Sequence, residues 1–246
     1  MKQSNWLIGL AALLVFLSAA VYFIHYLVFR DVHHIFIYLV GDIAFVPVEV
    51  LLVTLILHRL LTQREKRALL KKLNMVVGAF FNEAGTDFLK RVIVLDADFD
   101  GVRQNLLISG KWTQQDFAAA MKRMADYDYS IEIEADALNA LREFLLEKRE
   151  FLLRLMENPN LLEHDKFTDM LWAITHLTEE LSHRGGVYEL PASDYKHLAG
   201  DVKRAYQRTI AEWLEYMEHL HASYPYLYSL AVRTNPFDPD APVQVK

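Results

Sequence analysis

The 246 residues include no cysteine. That removes disulfides, thiolate metal sites and cysteine nucleophiles together. It leaves the compartment open, because a reducing compartment merely tolerates the lack. Nine glycines and seven prolines are few, which argues against a loop-rich or disordered chain. No Walker loop, dinucleotide fingerprint, nucleophile elbow or kinase set of motifs occurs. The sequence therefore predicts no enzyme and no cofactor. A net charge of -6 gives no footprint for a nucleic-acid binder.

What is present is segregated. Hydrophobic residues make up 53% and charged residues 24%, and the apolar ones gather near the start. Trp6 to Phe29 is an uncharged stretch of about 24 residues, about 36 Å as a helix, enough to cross bilayer hydrocarbon with some tilt. It runs well past Ser18-Ala19-Ala20, so a cleaved signal peptide is the weaker reading. Ile35 to Leu57 forms a second span, and the short link Arg30-Asp31-Val32-His33-His34 makes the two an antiparallel hairpin. Arg59, Arg64, Lys66, Arg67, Lys71 and Lys72 follow the second span, whereas the link offers only Arg30. The positive-inside rule then places both termini in the cytoplasm of a multi-pass protein of the cell (inner) membrane. The same basic residues are candidates for contact with lipid headgroups of the bilayer.

The second span carries Gly41, Asp42, Pro47, Glu49 and Thr54. Asp42 and Glu49 are two helical turns apart and share a face. A carboxylate at bilayer depth is costly and normally faces a helix interface or a water-filled path. One reading is an acidic ion path through Asp42, Glu49 and Thr54. The other places Asp42 near the outer interface and keeps Glu49 protonated or paired. Both call for a homo-oligomer, since two helices cannot hide an acidic stripe from lipid. Near the outer face, His25, His33 and His34 with Asp31 and Asp42 form a candidate metal or pH-sensing cluster; the simpler reading is interfacial anchoring.

Residues 59–85 read as a basic helical stalk continuing out of the second span, suited to transmitting orientation, with a break at Asn82 to Gly85. Residues 86–234 read as a helical cytoplasmic domain, with Phe88 to Leu95 undecided between helix and short strand. Asp96, Asp98, Asp100 and Gly101 match the start of a calcium loop, but position twelve is Leu107, which favours an acidic turn. Helices are predicted from Thr113 as N-cap to Ala125, over 134–157, over 161–184 ending at Gly185-Gly186, over 194–222 with Ser193 as cap, and after Tyr224-Pro225. Residues 235–246, with three prolines, read as a mobile tail. His176, Glu179, Glu180 and His183 repeat along one helix, and Glu212, Glu215, Glu218, His219 and His221 along the next. Two such helices are how carboxylate–histidine metal bundles are built, so His176, Glu180 and His183 are candidate ligands, weighed against a charged face lying in water.

The stretch His25 to Arg59, centred on Val40-Gly41-Asp42-Ile43-Ala44-Phe45-Val46-Pro47, resembles a family of uncharacterised prokaryotic proteins with two transmembrane helices and a helical cytoplasmic domain. So do Phe151 to Leu181 and Ser229 to Phe237. The resemblance implies architecture and no activity.

The expectation is a mainly α protein: a transmembrane hairpin over 1–58, then an all-α cytoplasmic domain with room for one short β element. It predicts a non-catalytic, oligomeric interaction or regulatory module anchored in the bilayer, with a cytoplasmic protein partner. A homo-oligomeric ion channel is the alternative.

Overall fold

The computed structural model describes residues 2–159, 161, 164–241 and 244; of residues 2–5, 7 and 65–72 only the backbone is described. Among them the chain is mainly α, with helices α1 (Lys2–Phe29), α2 (Val32–Phe80), α3 (Thr86–Ile93), α4 (Phe99–Leu106), α5 (Gln114–Ala125), α6 (Ala135–Met156), α7 (Asp165–Ser182), α8 (Ala192–Ser223) and α9 (Pro225–Arg233). No strand forms among the described residues. Of the one short β element allowed for, the described residues show a single antiparallel bridge, Asp96 with Ile131. The chain divides into two compact units, residues 1–66 and 67–246.

In the first unit, two helices are long and apolar enough to cross a membrane, over Ile8–Phe29 and Val32–Arg64, each of mean hydropathy 2.2. The link is shorter than expected, Arg30 and Asp31 alone. Arg30 takes a left-handed conformation (φ 51°) and its N–H donates to the Tyr26 carbonyl at 2.8 Å, closing α1. Asp31 then accepts the His34 N–H at 3.2 Å, an N-cap contact that starts α2 at Val32. Pro47 sits inside α2 without ending it.

In the second unit α8 is central, packing against α3, α5, α7 and α9, while α6 packs on α7 and α3. The reason is the spacing of its apolar residues. Leu198, Val202, Ala205, Tyr206, Ile210, Trp213, Leu214 and Met217 are all buried, at helical steps that serve more than one face. The expected break at Asn82 to Gly85 is instead a π-turn, Phe81–Gly85, joining α2 to α3. The Thr86 hydroxyl donates to the Phe81 carbonyl at 2.9 Å. Gly85 is required there: a Cβ would lie 2.5 Å from Phe80 Cε1 and 2.7 Å from Phe81 Cδ1. Phe88 to Leu95 resolves as helix through Ile93, with Phe88, Leu89 and Val92 buried on one side.

The caps agree in part. Thr113 and Asp116 form a reciprocal capping box at α5. Helix α8 begins at Ala192 rather than Asp194, with Pro191 at its N-cap and no capping by Ser193. The acidic turn at Asp96 is held by its own backbone, Asp98 N–H donating to Asp96 Oδ1 at 3.1 Å, and by the Tyr127 hydroxyl on Asp98. The segment expected as a tail is anchored at its start. Asn235 Nδ2 donates to the Leu106 carbonyl at 2.9 Å, its Oδ1 accepts from Phe237 N at 3.0 Å, and the Phe237 ring is buried against Trp213 at 5.0 Å.

Candidate functional site

Among the described residues, a dense set of chemically competent side chains lies where α7 meets α8. His176 and Glu180 stand one turn apart on α7, and His197 and Asp201 one turn apart on α8. His176 Nε2 is 3.5 Å and His197 Nε2 3.3 Å from the same oxygen, Asp201 Oδ2. His197 Nε2 also lies 3.5 Å from Glu180 Oε2, and His176 Nε2 4.0 Å from Glu180 Oε1. Two arginines hold the carboxylates from behind. Arg204 Nη1 donates to Asp201 Oδ1 at 2.9 Å. Arg184 donates to Glu180 Oε2 at 2.8 Å while gripping Asp194 with two bonds of 2.8 and 2.7 Å. This arginine keeps Glu180 and Asp194 below the ordinary carboxylate range.

The sequence pointed to His176 and Glu180 and also to His183, which is not part of this group. His183 is the C-cap of α7; its Nδ1 meets the Glu179 carbonyl at 2.8 Å. Glu179 pairs with Arg149 at 2.9 Å. The residues that complete the cluster, His197 and Asp201, are not among the sequence candidates. Their signal was present: the His-x-x-x-acid spacing of α7 recurs on α8.

A second feature is a cleft of about 730 Å³ beside α8, whose lining includes Asn74, His164, Glu212, Glu215, His219 and His221. The three histidines there have structural partners. His164 Nδ1 accepts the Phe167 N–H at 3.2 Å as N-cap of α7, His219 meets Asn74 at 3.1 Å, and His221 packs edge-on to Tyr228 at 4.9 Å. Glu215 pairs with Lys166. Glu212 is buried with no partner for Oε1, and burial pushes its pKa up to about 8, helped by the charge of Glu215 and opposed by Lys166.

In the hairpin unit, Asp42, Glu49 and Thr54 are all exposed on the single chain. The Tyr22 hydroxyl donates to Asp42 Oδ2 at 3.3 Å. His25 and His34 approach ring to ring at 5.8 Å, and His34 packs edge-on to Tyr38 at 4.7 Å; His33 is exposed. Arg59 and Arg64 are exposed. The side chains of Lys66, Arg67, Lys71 and Lys72 lie outside the described residues.

Residues 2–61 match a family described as the MJ1433 N-terminal helical domain, and residues 69–233 one described as the C-terminal helical domain of the uncharacterized protein MJ1433. The chain belongs to the MJ1433 family. One relative, the "Uncharacterized protein MJ1433" of Methanocaldococcus jannaschii, is 47% identical over 238 residues, 97% of this chain and 96% of that protein. No solved structure matches. The family read from the hairpin, Phe151 to Leu181 and Ser229 to Phe237 is thereby borne out, with no established activity. The His–carboxylate pair of helices falls within the MJ1433 C-terminal domain.

Proposed function

We propose that this protein is an integral, multi-pass membrane protein, both termini cytoplasmic, in which the hairpin anchors a non-catalytic helical domain that works as an oligomeric interaction or regulatory module. One observation carries the membrane part. The 67–246 unit closes a core of its own, whereas Val15, Phe16, Phe36 and Phe45 stand among a run of large apolar side chains that α1 and α2 leave uncovered. A soluble protein rarely exposes so large a contiguous apolar surface. The cations from Arg59 to Lys72 support the orientation. Asp42 and Glu49, exposed on an apolar helix, support self-association, because a carboxylate in lipid needs a neighbour.

The absence of cysteine makes the test direct. His33→Cys and Ser193→Cys each introduce a single thiol at an exposed position. A membrane-impermeant maleimide on intact cells labels the first, and the second only after permeabilisation. Labelling of Ser193→Cys in intact cells, or recovery of the chain in the soluble fraction without detergent, defeats the reading. The exposed Asp42 and Glu49 also favour a second reading, a homo-oligomeric ion path. Reconstituted protein that conducts, with conduction lost in Asp42→Asn/Glu49→Gln, replaces the anchoring reading by that one.

A further inference from the structure

Asp201 Oδ2 is a buried carboxylate oxygen without a hydrogen-bond partner, on a side chain only 2% exposed. Such an oxygen is strongly disfavoured in a folded protein unless something positive meets it. Two imidazole nitrogens are close, at 3.3 and 3.5 Å, yet neither makes a hydrogen bond to it. Arg204 occupies the other oxygen, Oδ1, and so leaves Oδ2 aimed at the space that His176, His197 and Glu180 share.

Those separations suit a metal better than a proton. Zinc binds imidazole nitrogen and carboxylate oxygen at about 2.0–2.2 Å in a tetrahedron, so two ligands of one ion stand about 3.3–3.6 Å apart. The Asp201–His197, Asp201–His176 and Glu180–His197 approaches are 3.3, 3.5 and 3.5 Å. One ligand atom each from Glu180, His197 and Asp201 lies within 4.8 Å of the others. His176 stands just outside that set of three: its Nε2 faces the other Glu180 oxygen, Oε1, at 4.0 Å, and it reaches the ion by a turn of its half-exposed side chain.

We propose that Glu180, His197 and Asp201, with His176 as fourth ligand, bind a divalent transition ion of the zinc class. Two imidazoles and two carboxylates select such an ion over calcium or magnesium, which take oxygen ligands. All four ligands stand on helices rather than loops, which fixes their geometry. Arg184 and Arg204 orient the two carboxylates as outer partners of a metal site do. Both imidazoles are half-exposed, so the ion enters from solvent without unfolding the domain.

The competing account is an ion-pair network in which the histidines are protonated and no metal binds. The test uses the full chain in detergent, stripped with EDTA and titrated with Co²⁺ and then Zn²⁺. The site gives one equivalent of Co²⁺ with the visible absorption of low-symmetry coordination, displaced by Zn²⁺. Outer-partner substitution in Arg204→Gln lowers affinity by about 10- to 100-fold. His197→Gln and Asp201→Asn lower it further, His176→Gln weakens binding and alters the Co²⁺ spectrum, and His183→Gln leaves both unchanged. His197 is half-exposed, so its variant keeps the fold, which near-ultraviolet circular dichroism checks independently. Wild type that gives no Co²⁺ absorption, or a folded His197→Gln that binds as wild type does, overturns the proposal.

Discussion

Replacing Glu212 with glutamine should remove one loss of stability that the wild type suffers as pH rises. The carboxyl is buried, one oxygen has no partner, and its pKa rises from 4.5 to about 8. The folded chain therefore keeps a proton that the unfolded chain gives up. The sign follows from linkage: stability changes with pH as the unfolded state's bound protons minus the folded state's. That difference is negative between 4.5 and about 8, so stability falls as pH rises through this window. Below 4.5 the group contributes no slope, and above about 8 the full penalty of a buried anion is present. At about 1.36 kcal/mol per pH unit the whole effect is roughly 5 kcal/mol, an upper bound because water can reach a relaxed site. A glutamine side chain has the same shape and no charge. The assay is guanidinium unfolding of the full chain in detergent, followed by tryptophan fluorescence, to which buried Trp213, the next residue, contributes. Wild type and Glu212→Gln should agree within about 1 kcal/mol near pH 4.5 and diverge by several at pH 9, with the glutamine variant the more stable. Parallel curves, or a wild type that gains on the variant as pH rises, refute the reasoning.

Two further substitutions test the packing. Phe237→Ala removes a fully buried ring from Trp213 and should destabilise by about 3–5 kcal/mol, read as a lower denaturant midpoint with Trp213 more accessible to quencher. Gly85→Ala puts a methyl into the Phe80 and Phe81 rings and should lose about 1–3 kcal/mol by overpacking, measured in the same unfolding assay.

Much of the helical architecture was legible because its signals are local. Apolar runs, the Thr113–Asp116 capping box and the Tyr224-Pro225 break all act within a few residues. The structure departs from the sequence expectation where a single short-range contact or a tertiary one decides. Asp31 caps α2 and so absorbs three residues of the expected link. Gly85 suggests a break, but it ends a π-turn packed against the Phe80 and Phe81 rings, where no Cβ fits. Asn235 and Phe237 sit among prolines that suggest a free tail, and only their distant partners, Leu106 and Trp213, reveal otherwise. At the candidate metal centre, α7's His176 and Glu180 were visible by spacing. Their convergence with His197 and Asp201 depends on how α7 meets α8, which periodicity does not encode, and His183 fell away because the helix ends there.

The anchoring of Phe237 has a consequence for synthesis. A nascent chain that has already emerged through α8 still presents Trp213 without its cover, since the covering ring comes 24 residues later. The most central helix of the domain is thus finished only after a further, later segment has left the ribosome. A stalled product ending before residue 237 carries an unsealed aromatic face, which the chain hides once Phe237 is in place.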